Sequence, residues 1–168
     1  MAPTASPEQA AEPRQLEGLD PLRELVISLM EAARREVLLF STDLQPQLYN
    51  QAPFLEALRR FAVNNRRARI RILVEDLERI VKLPHRLLEL ANQLPSFFEV
   101  RRVAEEDAGH EQCYLLVDRR GYLLLPSKDS RSGEACAHCP RQGRLLGAEF
   151  MELWDRAAPD PNLRRLVL

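Results

Sequence analysis

Residues 112–127 read QCYLLVDRRGYLLLPS, in which two apolar runs flank a short polar segment. Apolar runs of this kind, bounded by Asp and Gly, are typical of strands joined by a tight turn. The sequence therefore predicts a β-hairpin, with one strand over Cys113–Val117, a second over residues 122–125 and a turn at residues 118–121.

Upstream of the hairpin, helical and strand patterns alternate. Helical spacing of apolar residues over positions 20–35, and again after Pro53, precedes short apolar runs at 36–41 and 70–74. A broken helical region over 77–94 and a run at 97–103 follow, and beyond the hairpin a polar loop over 126–142 leads to a last helix. The order α-β-α-β-α-β-β-β-α predicts one α/β domain with a mixed sheet.

The whole pattern resembles one half of a phospholipase D-like fold, a mixed sheet flanked by helices. In that family a strand carries His-x-Lys and then Asp, and the next strand ends in Gly-Ser-x-Asn. The hairpin, the strand around Ile70–Val74 and the closing Phe150-x-x-Leu153-Trp154 carry the resemblance, which covers about residues 20–157. It implies a bacterial half-domain over residues 18–168. Residues 1–17 are rich in Pro, Ala and Glu and lack periodicity, which predicts a disordered segment.

The resemblance also implies that the charged groups of the family site are missing here. The family's histidine attacks phosphorus, and its lysine neutralises the phosphate oxygens. With Asp118 as the anchor, the histidine position falls on Glu111 and the lysine position on Cys113. A carboxylate repels phosphate and a thiol carries no positive charge, so the motif predicts a pseudoenzyme. His110 stands one residue earlier, where a strand would turn it to the opposite face.

The remaining motif positions match in part. Asp118 is retained, although Asp before a turn is common in any protein. The Gly-Ser-x-Asn position reads Pro126-Ser127-Lys128-Asp129, in which Ser127 could hydrogen-bond and Lys128 could contact a phosphate. With Glu111, these two are the candidate binding residues, and a solvated loop is the alternative interpretation.

Cys136-Ala137-His138-Cys139 has the spacing of half a zinc site. Structural zinc takes four ligands, and no second paired motif is present to complete the set. Cys136 and Cys139 could also form a redox couple. The plainest interpretation is a pair of reduced cysteines in a surface loop, so no cofactor is expected.

Acidic residues follow the first two parallel strands, at Asp43 and at Glu75-Asp76. Open α/β sheets bind ligands at the carboxyl ends of their strands, and an acidic rim there suits a cation or an amine. The alternative is that these side chains cap loops and helices. His85 likewise is either a general base or a residue at the start of a helix.

The densest basic cluster lies between the second helix and the second parallel strand. Arginines at this density can bind phosphate backbones, and the alternative is a solvated helix face. The cluster comprises Arg59, Arg60, Arg66, Arg67, Arg69 and Arg71.

Composition excludes several classes of protein. The net charge is -1, so no global field directs the chain to nucleic acid or to an anionic membrane. No apolar run is long enough to span a bilayer, and residues 1–15 lack the apolar core of a signal peptide. A cytoplasmic protein is expected.

Two functional hypotheses follow. The first is a non-catalytic binding or accessory module that recognises a phosphorylated ligand, a nucleic acid or a protein partner. The second is an enzyme, either a divergent phosphodiesterase or phosphatidyltransferase using His110 or a thiol-dependent enzyme using Cys113. In the family two halves build one site, so the resemblance implies a homodimer or a partner domain. It also implies an accessory role beside bacterial acyltransferases.

Overall fold

A seven-stranded mixed sheet forms the centre of the protein, whose computed structural model describes residues 11–82 and 85–159. The strands are β1 (Arg14–Glu17), β2 (Glu36–Ser41), β3 (Arg69–Val74), β4 (Phe98–Arg102), β5 (Cys113–Val117), β6 (Gly121–Leu125) and β7 (Ser132–Cys136). The helices are α1 (Leu19–Ala32), α2 (Pro46–Tyr49), α3 (Ala52–Asn64), α4 (Leu77–Lys82), α5 (Arg86–Gln93) and α6 (Pro140–Arg156).

The strand order is β1-β7-β6-β5-β2-β3-β4. Strands β2, β3 and β4 are parallel, whereas β5 pairs antiparallel with both β2 and β6. The predicted α/β class, with a mixed sheet flanked by helices, is confirmed. Among the described residues, no helix has the length and apolar character needed to cross a membrane.

Side-chain alternation along the central strands divides the core into two. In β2, Val37 and Leu39 face the larger cluster under α1, α3 and α5, whereas Leu38 and Phe40 face the cluster under α6. Because both faces are covered, the central strands are continuous apolar runs. The same alternation in β5 places neighbouring residues on opposite faces of the sheet.

The predicted hairpin is present. Val117 pairs with Gly121, and the amide of Arg120 donates to the Val117 carbonyl at 3.0 Å. Asp118 and Arg119 both have positive φ angles, of 53° and 55°. Two successive residues in this region give the turn the right-handed twist that a hairpin needs.

Three elements differ from the sequence expectation. Arg14–Glu17, placed in the disordered segment, forms β1, and Ser132–Cys136, placed in a polar loop, forms β7, with which β1 pairs. Short polar strands such as these are specified by their neighbours rather than by an apolar pattern. The loop after β2 also contains the short helix α2. The rest of the expected disordered segment, residues 1–10, lies outside the described residues.

Candidate functional site

Cys113, which the sequence predicts to fall at the lysine position of the phospholipase D-like motif, lies at the start of β5. Its side chain is completely buried on the face of the sheet under α1 and α3. The sulfur lies 3.7 Å from Thr42 Oγ1, in the segment after β2, and donates to the Glu111 carbonyl at 3.7 Å. The Cys113 thiol is therefore enclosed, whereas Glu111, the residue predicted at the histidine position, is exposed.

The electrostatic surroundings keep this thiol protonated. Burial raises the pKa of Cys113, and the negative charges of Asp43 and Glu75 raise it further, against the hydrogen bonds from Thr42 that lower it. The thiolate is the reactive form of cysteine, so a raised pKa makes Cys113 a poor nucleophile. The same two carboxylates make this end of the sheet unfavourable for phosphate.

Two buried polar atoms lie near Cys113, and of the two residues that carry them the sequence analysis named Glu75 but not Tyr49. Within the described residues, the Tyr49 hydroxyl and Glu75 Oε2 find no hydrogen-bond partner. Burial raises the pKa of the Tyr49 phenol, and the proximity of Cys113 adds to the shift. Tyr49 reaches this position from α2, a helix that the sequence did not predict, so no sequence pattern marked it.

The acidic side chains after β2 and β3 do meet at one edge of the sheet. The amides of Glu75 and Asp76 donate to the Thr42 carbonyl at 3.2 and 2.8 Å. Asp43 accepts from the Gln45 amide and Asp76 from the Arg79 amide, both at 3.2 Å. Arg79 also pairs with Asp43 and Asp76. These bonds match the capping interpretation of the two aspartates.

Ser127 and Lys128 lie on the β6–β7 loop at the same edge. The Ser127 hydroxyl and amide both bond to Ser130 Oγ at 3.1 Å, which closes the loop on itself. The Lys128 carbonyl accepts from the buried side chain of Gln45 at 3.1 Å. Lys128 is therefore held by its backbone, and its ammonium group has no partner among the residues described.

His110 lies on the other face of the sheet from Cys113, as the register argument predicts. Its ring packs edge-on against Phe40 at 5.7 Å, and Nδ1 lies 4.0 Å from Glu149 Oε1 on α6. No cation is recorded beside it in residues 11–82 and 85–159. The structure thus separates the two residues on which the enzymatic alternatives depend.

Asp118 lies at the far end of β5 from Cys113. Its Oδ1 accepts from the amides of Arg35 and Glu36 at 2.7 and 2.9 Å, and its Oδ2 accepts from the amide of Arg34 at 2.8 Å. The carboxylate therefore ties the α1–β2 connection to the hairpin turn. This arrangement gives Asp118 a structural role.

Cys136 and Cys139 are joined by a disulfide bond. The expectation of reduced surface-loop cysteines is wrong for this structure, because Cys136 ends β7, Cys139 precedes α6 and both are buried. A zinc site on these thiolates is also excluded in the disulfide form, since both sulfurs are bonded to each other. Among the described residues no group of three or more His, Cys, Asp or Glu side chains is arranged to hold a metal ion.

His85 is buried at the start of α5, which agrees with the helix-start interpretation. Nδ1 accepts from the Leu87 amide at 3.2 Å, so Nε2 carries the hydrogen and donates to the Leu44 carbonyl at 2.7 Å. Burial lowers the pKa of His85, although the bond to Leu44 and the charge of Asp43 oppose the shift. The ring is therefore neutral in the folded protein.

We expect the stability of the protein to fall as pH is lowered below the ordinary His pKa of 6.5. The folded-state pKa is depressed, so the unfolded chain binds the proton first, and stability present above pH 6.5 is lost as pH falls through the folded-state value. Thermal unfolding followed by circular dichroism between neutral and mildly acidic pH measures this dependence. His85→Gln should show a flatter profile, and an identical slope in both proteins would contradict the assignment.

Solved structures with the same fold are known. The protein has a phospholipase D-like fold, shared with Nuc from Salmonella typhimurium, a phospholipase D family member (TM-score 0.61, 14% identity, 89% of this chain and 99% of that chain), and with NucT from Helicobacter pylori (TM-score 0.65, 10% identity, the same coverage). TrmBL2, an archaeal chromatin protein with a novel mode of DNA binding, matches with a TM-score of 0.63 and 16% identity over 95% of this chain. At these identities the likeness shows the fold alone, and this chain spans 58% of TrmBL2.

The sequence matches, over residues 18–166, the family described as a domain of unknown function, DUF7931. The chain belongs to this family. A search of the curated proteins found no match.

Proposed function

We propose that this protein is a non-catalytic phospholipase D-like module, which binds a ligand or a partner without cleaving a phosphodiester. The observation that carries the proposal is the buried, protonated thiol of Cys113 in place of the family's lysine. A phosphoryl group needs a cation to stabilise its developing charge. Asp43 and Glu75 present the opposite charge at this position.

The ligand classes left open by the sequence are a phosphorylated ligand, a nucleic acid and a protein partner. TrmBL2 supports nucleic acid as one of them, because a protein with this fold is described as binding DNA. A phosphorylated ligand at the carboxyl edge of the sheet would need the Lys128 ammonium to outweigh the negative charges of Asp43 and Glu75.

Hydrolysis of bis(p-nitrophenyl) phosphate tests the proposal. We expect the rate with the purified protein to equal the rate with His110→Ala and the rate in buffer, because His110 has Glu149 beside it rather than a cation. A phosphodiesterase of known activity serves as the positive control. Turnover that disappears in His110→Ala would show that the divergent phosphodiesterase or phosphatidyltransferase hypothesis is correct instead.

The second candidate, a thiol-dependent enzyme using Cys113, has the unpartnered Tyr49 hydroxyl and Glu75 Oε2 in its favour, because buried polar atoms without partners mark functional sites as well as strain. This candidate requires a reactive thiol, whereas burial and the raised pKa predict an inert one.

Thiol labelling distinguishes these alternatives. With Ellman's reagent at neutral pH, we expect no rapid labelling of the folded protein, one labelled thiol after denaturation and three after denaturation and reduction, since Cys113 is free and Cys136 is bonded to Cys139. Cys113→Ala should lose the single thiol of the denatured, unreduced protein. Rapid labelling of the folded protein that is absent from Cys113→Ala would favour the enzyme.

The homodimer stays a prediction. An unpaired half was expected to expose the apolar surface that its twin covers. In the described part of the chain, Val63 and Leu145 are the large apolar side chains that are exposed, and one lies on α3 while the other lies on α6. We therefore expect any pairing to use polar contacts and to weaken on dilution, which sedimentation velocity measures.

A further inference from the structure

Arginines far apart in the sequence meet at the edge of the sheet opposite Cys113. The amide of Arg69, at the start of β3, donates to the Arg35 carbonyl at 3.2 Å, just before β2. Asp118 holds this same α1–β2 connection against the turn that carries Arg120. We call this surface the arginine rim, and it consists of Arg34, Arg35, Arg66, Arg67, Arg69 and Arg120.

Among the side chains that the structure describes, none neutralises the charges of the arginine rim. All six residues are exposed. Within residues 11–82 and 85–159, Arg34 donates to the Ala33 carbonyl at 3.2 Å, and the other five guanidinium groups have no recorded partner. The overall net charge of -1 therefore conceals a strongly basic end of the molecule.

The carboxylates at this edge are already engaged. Glu36 pairs with Arg119 and Arg71, neither of which belongs to the rim. Asp118 uses both oxygens on backbone amides, and Glu99 binds Arg101 at 2.9 Å. The arginine rim thus faces solvent with its positive charge available.

Two partly open pockets adjoin the arginine rim. One has a volume of about 710 Å³ and is lined by Arg66, Arg67 and Arg69 together with Ser96 and Phe97. The other, of about 510 Å³, is lined by Arg34, Arg35 and Arg120 together with His138. Their positions on neighbouring parts of one sheet edge favour an extended anionic ligand over a single small anion.

We propose that the arginine rim binds the phosphate backbone of nucleic acid. From β6 to β3 the arginine rim spans three strand spacings, or about 14 Å at ~4.8 Å per strand. Planar guanidinium groups bind phosphate in a bidentate manner, and successive phosphates along a strand can meet successive arginines. Contacts of this kind position a polymer without reading its bases, so binding is independent of sequence. The inference rests on the proposed binding role but uses a surface distinct from the Cys113 edge.

Fluorescence anisotropy with a labelled DNA duplex tests the inference across a series of salt concentrations. We expect Arg66→Glu/Arg69→Glu to weaken binding at least about tenfold and to reduce the slope of log affinity against log salt by about 2, since each lost phosphate contact removes roughly one. The matched control is Arg86→Glu/Arg131→Glu, which makes the same charge change at two exposed positions outside the arginine rim, at the start of α5 and just before β7. We expect it to weaken binding by less than about threefold.

Three results would overturn the inference: no binding of the duplex by the wild-type protein at low salt, an equal loss in both double variants, or a loss in Lys128→Glu that exceeds the loss in the rim variant. Circular dichroism melting of every variant confirms that each is folded. The integrity of the duplex on a gel separates this test from the proposed function. DNA that is bound but cut would contradict the non-catalytic role alone, whereas intact DNA that is never bound would contradict the arginine rim alone.

Discussion

Asp118→Ala is expected to lower the free energy of unfolding by about 4 kcal/mol, the sum of two effects. Three backbone amides, those of Arg34, Arg35 and Glu36, lose a charged acceptor. A hydrogen bond to a charged group contributes roughly 1.5–3 kcal/mol, and the three are not additive because they share one carboxylate. Alanine is also strained at the φ angle of 53° found here, by about 1 kcal/mol. Urea unfolding measures the difference.

Two further variants separate these causes. Asp118→Gly removes the acceptor but relieves the backbone strain, so it should be about 1 kcal/mol more stable than Asp118→Ala. Asp118→Asn keeps one carbonyl oxygen and tolerates positive φ, so its loss should be smallest, at about 2 kcal/mol. A loss below about 1 kcal/mol in Asp118→Ala would show that the carboxylate does not hold the turn.

The backbone hydrogen bonds of Asp118 explain its presence at the end of β5 without any catalytic role. Asp118 binds backbone amides at one end of β5, whereas Glu111 and Cys113 lie at the other end. An aspartate that accepts three backbone hydrogen bonds stabilises the fold whether or not the protein has any catalytic activity. The presence of Asp118 at the predicted motif position is therefore no evidence for catalysis.

The sequence predicted the central strands well because both of their faces are covered. Continuous apolar runs in β2, β3 and β5 predict buried strands, and the turn residues before Gly121 predict the hairpin. Strands β1 and β7 lack such runs, with the sequences RQLE and SGEAC. They form because each pairs with a neighbour, which single-segment patterns cannot reveal.

The site was predictable only in part, because contacts between separate segments are not visible in the pattern of any one segment. The alternation of side chains in a strand correctly predicted that His110 lies on the opposite face of the sheet from Cys113. The disulfide depended on β7, which was read as a loop, so its cysteines were wrongly expected to be reduced and at the surface. The sequence grouped Arg66, Arg67 and Arg69 with other arginines nearby in the chain. It could not predict that Arg35 lies beside Arg69, because that contact follows from the pairing of β2 with β3.

The contact between α6 and the hairpin turn predicts the second large effect. Gly143 lies on the first turns of α6, where an added Cβ would overlap the Arg119 carbonyl and approach the Arg120 nitrogen to 2.8 Å. Replacing glycine by alanine inside a helix normally stabilises it by about 1 kcal/mol. Here the obstacle is backbone, so Gly143→Ala should instead destabilise the protein by about 3 kcal/mol in urea unfolding.

Gly147→Ala is the matched control, one helical turn further along the same face of α6. Its Cβ would meet the Arg119 side chain, with Cδ at 3.0 Å, and a flexible side chain can move where a carbonyl cannot. We expect a change within about 1 kcal/mol of zero. Equal losses of free energy of unfolding in the two variants would mean that α6 does not pack against the backbone of the turn. Asp118 holds the same turn from the other side. The double variant Gly143→Ala/Asp118→Ala should therefore lose less free energy of unfolding than the sum of the two single losses, because either substitution alone already destabilises the turn.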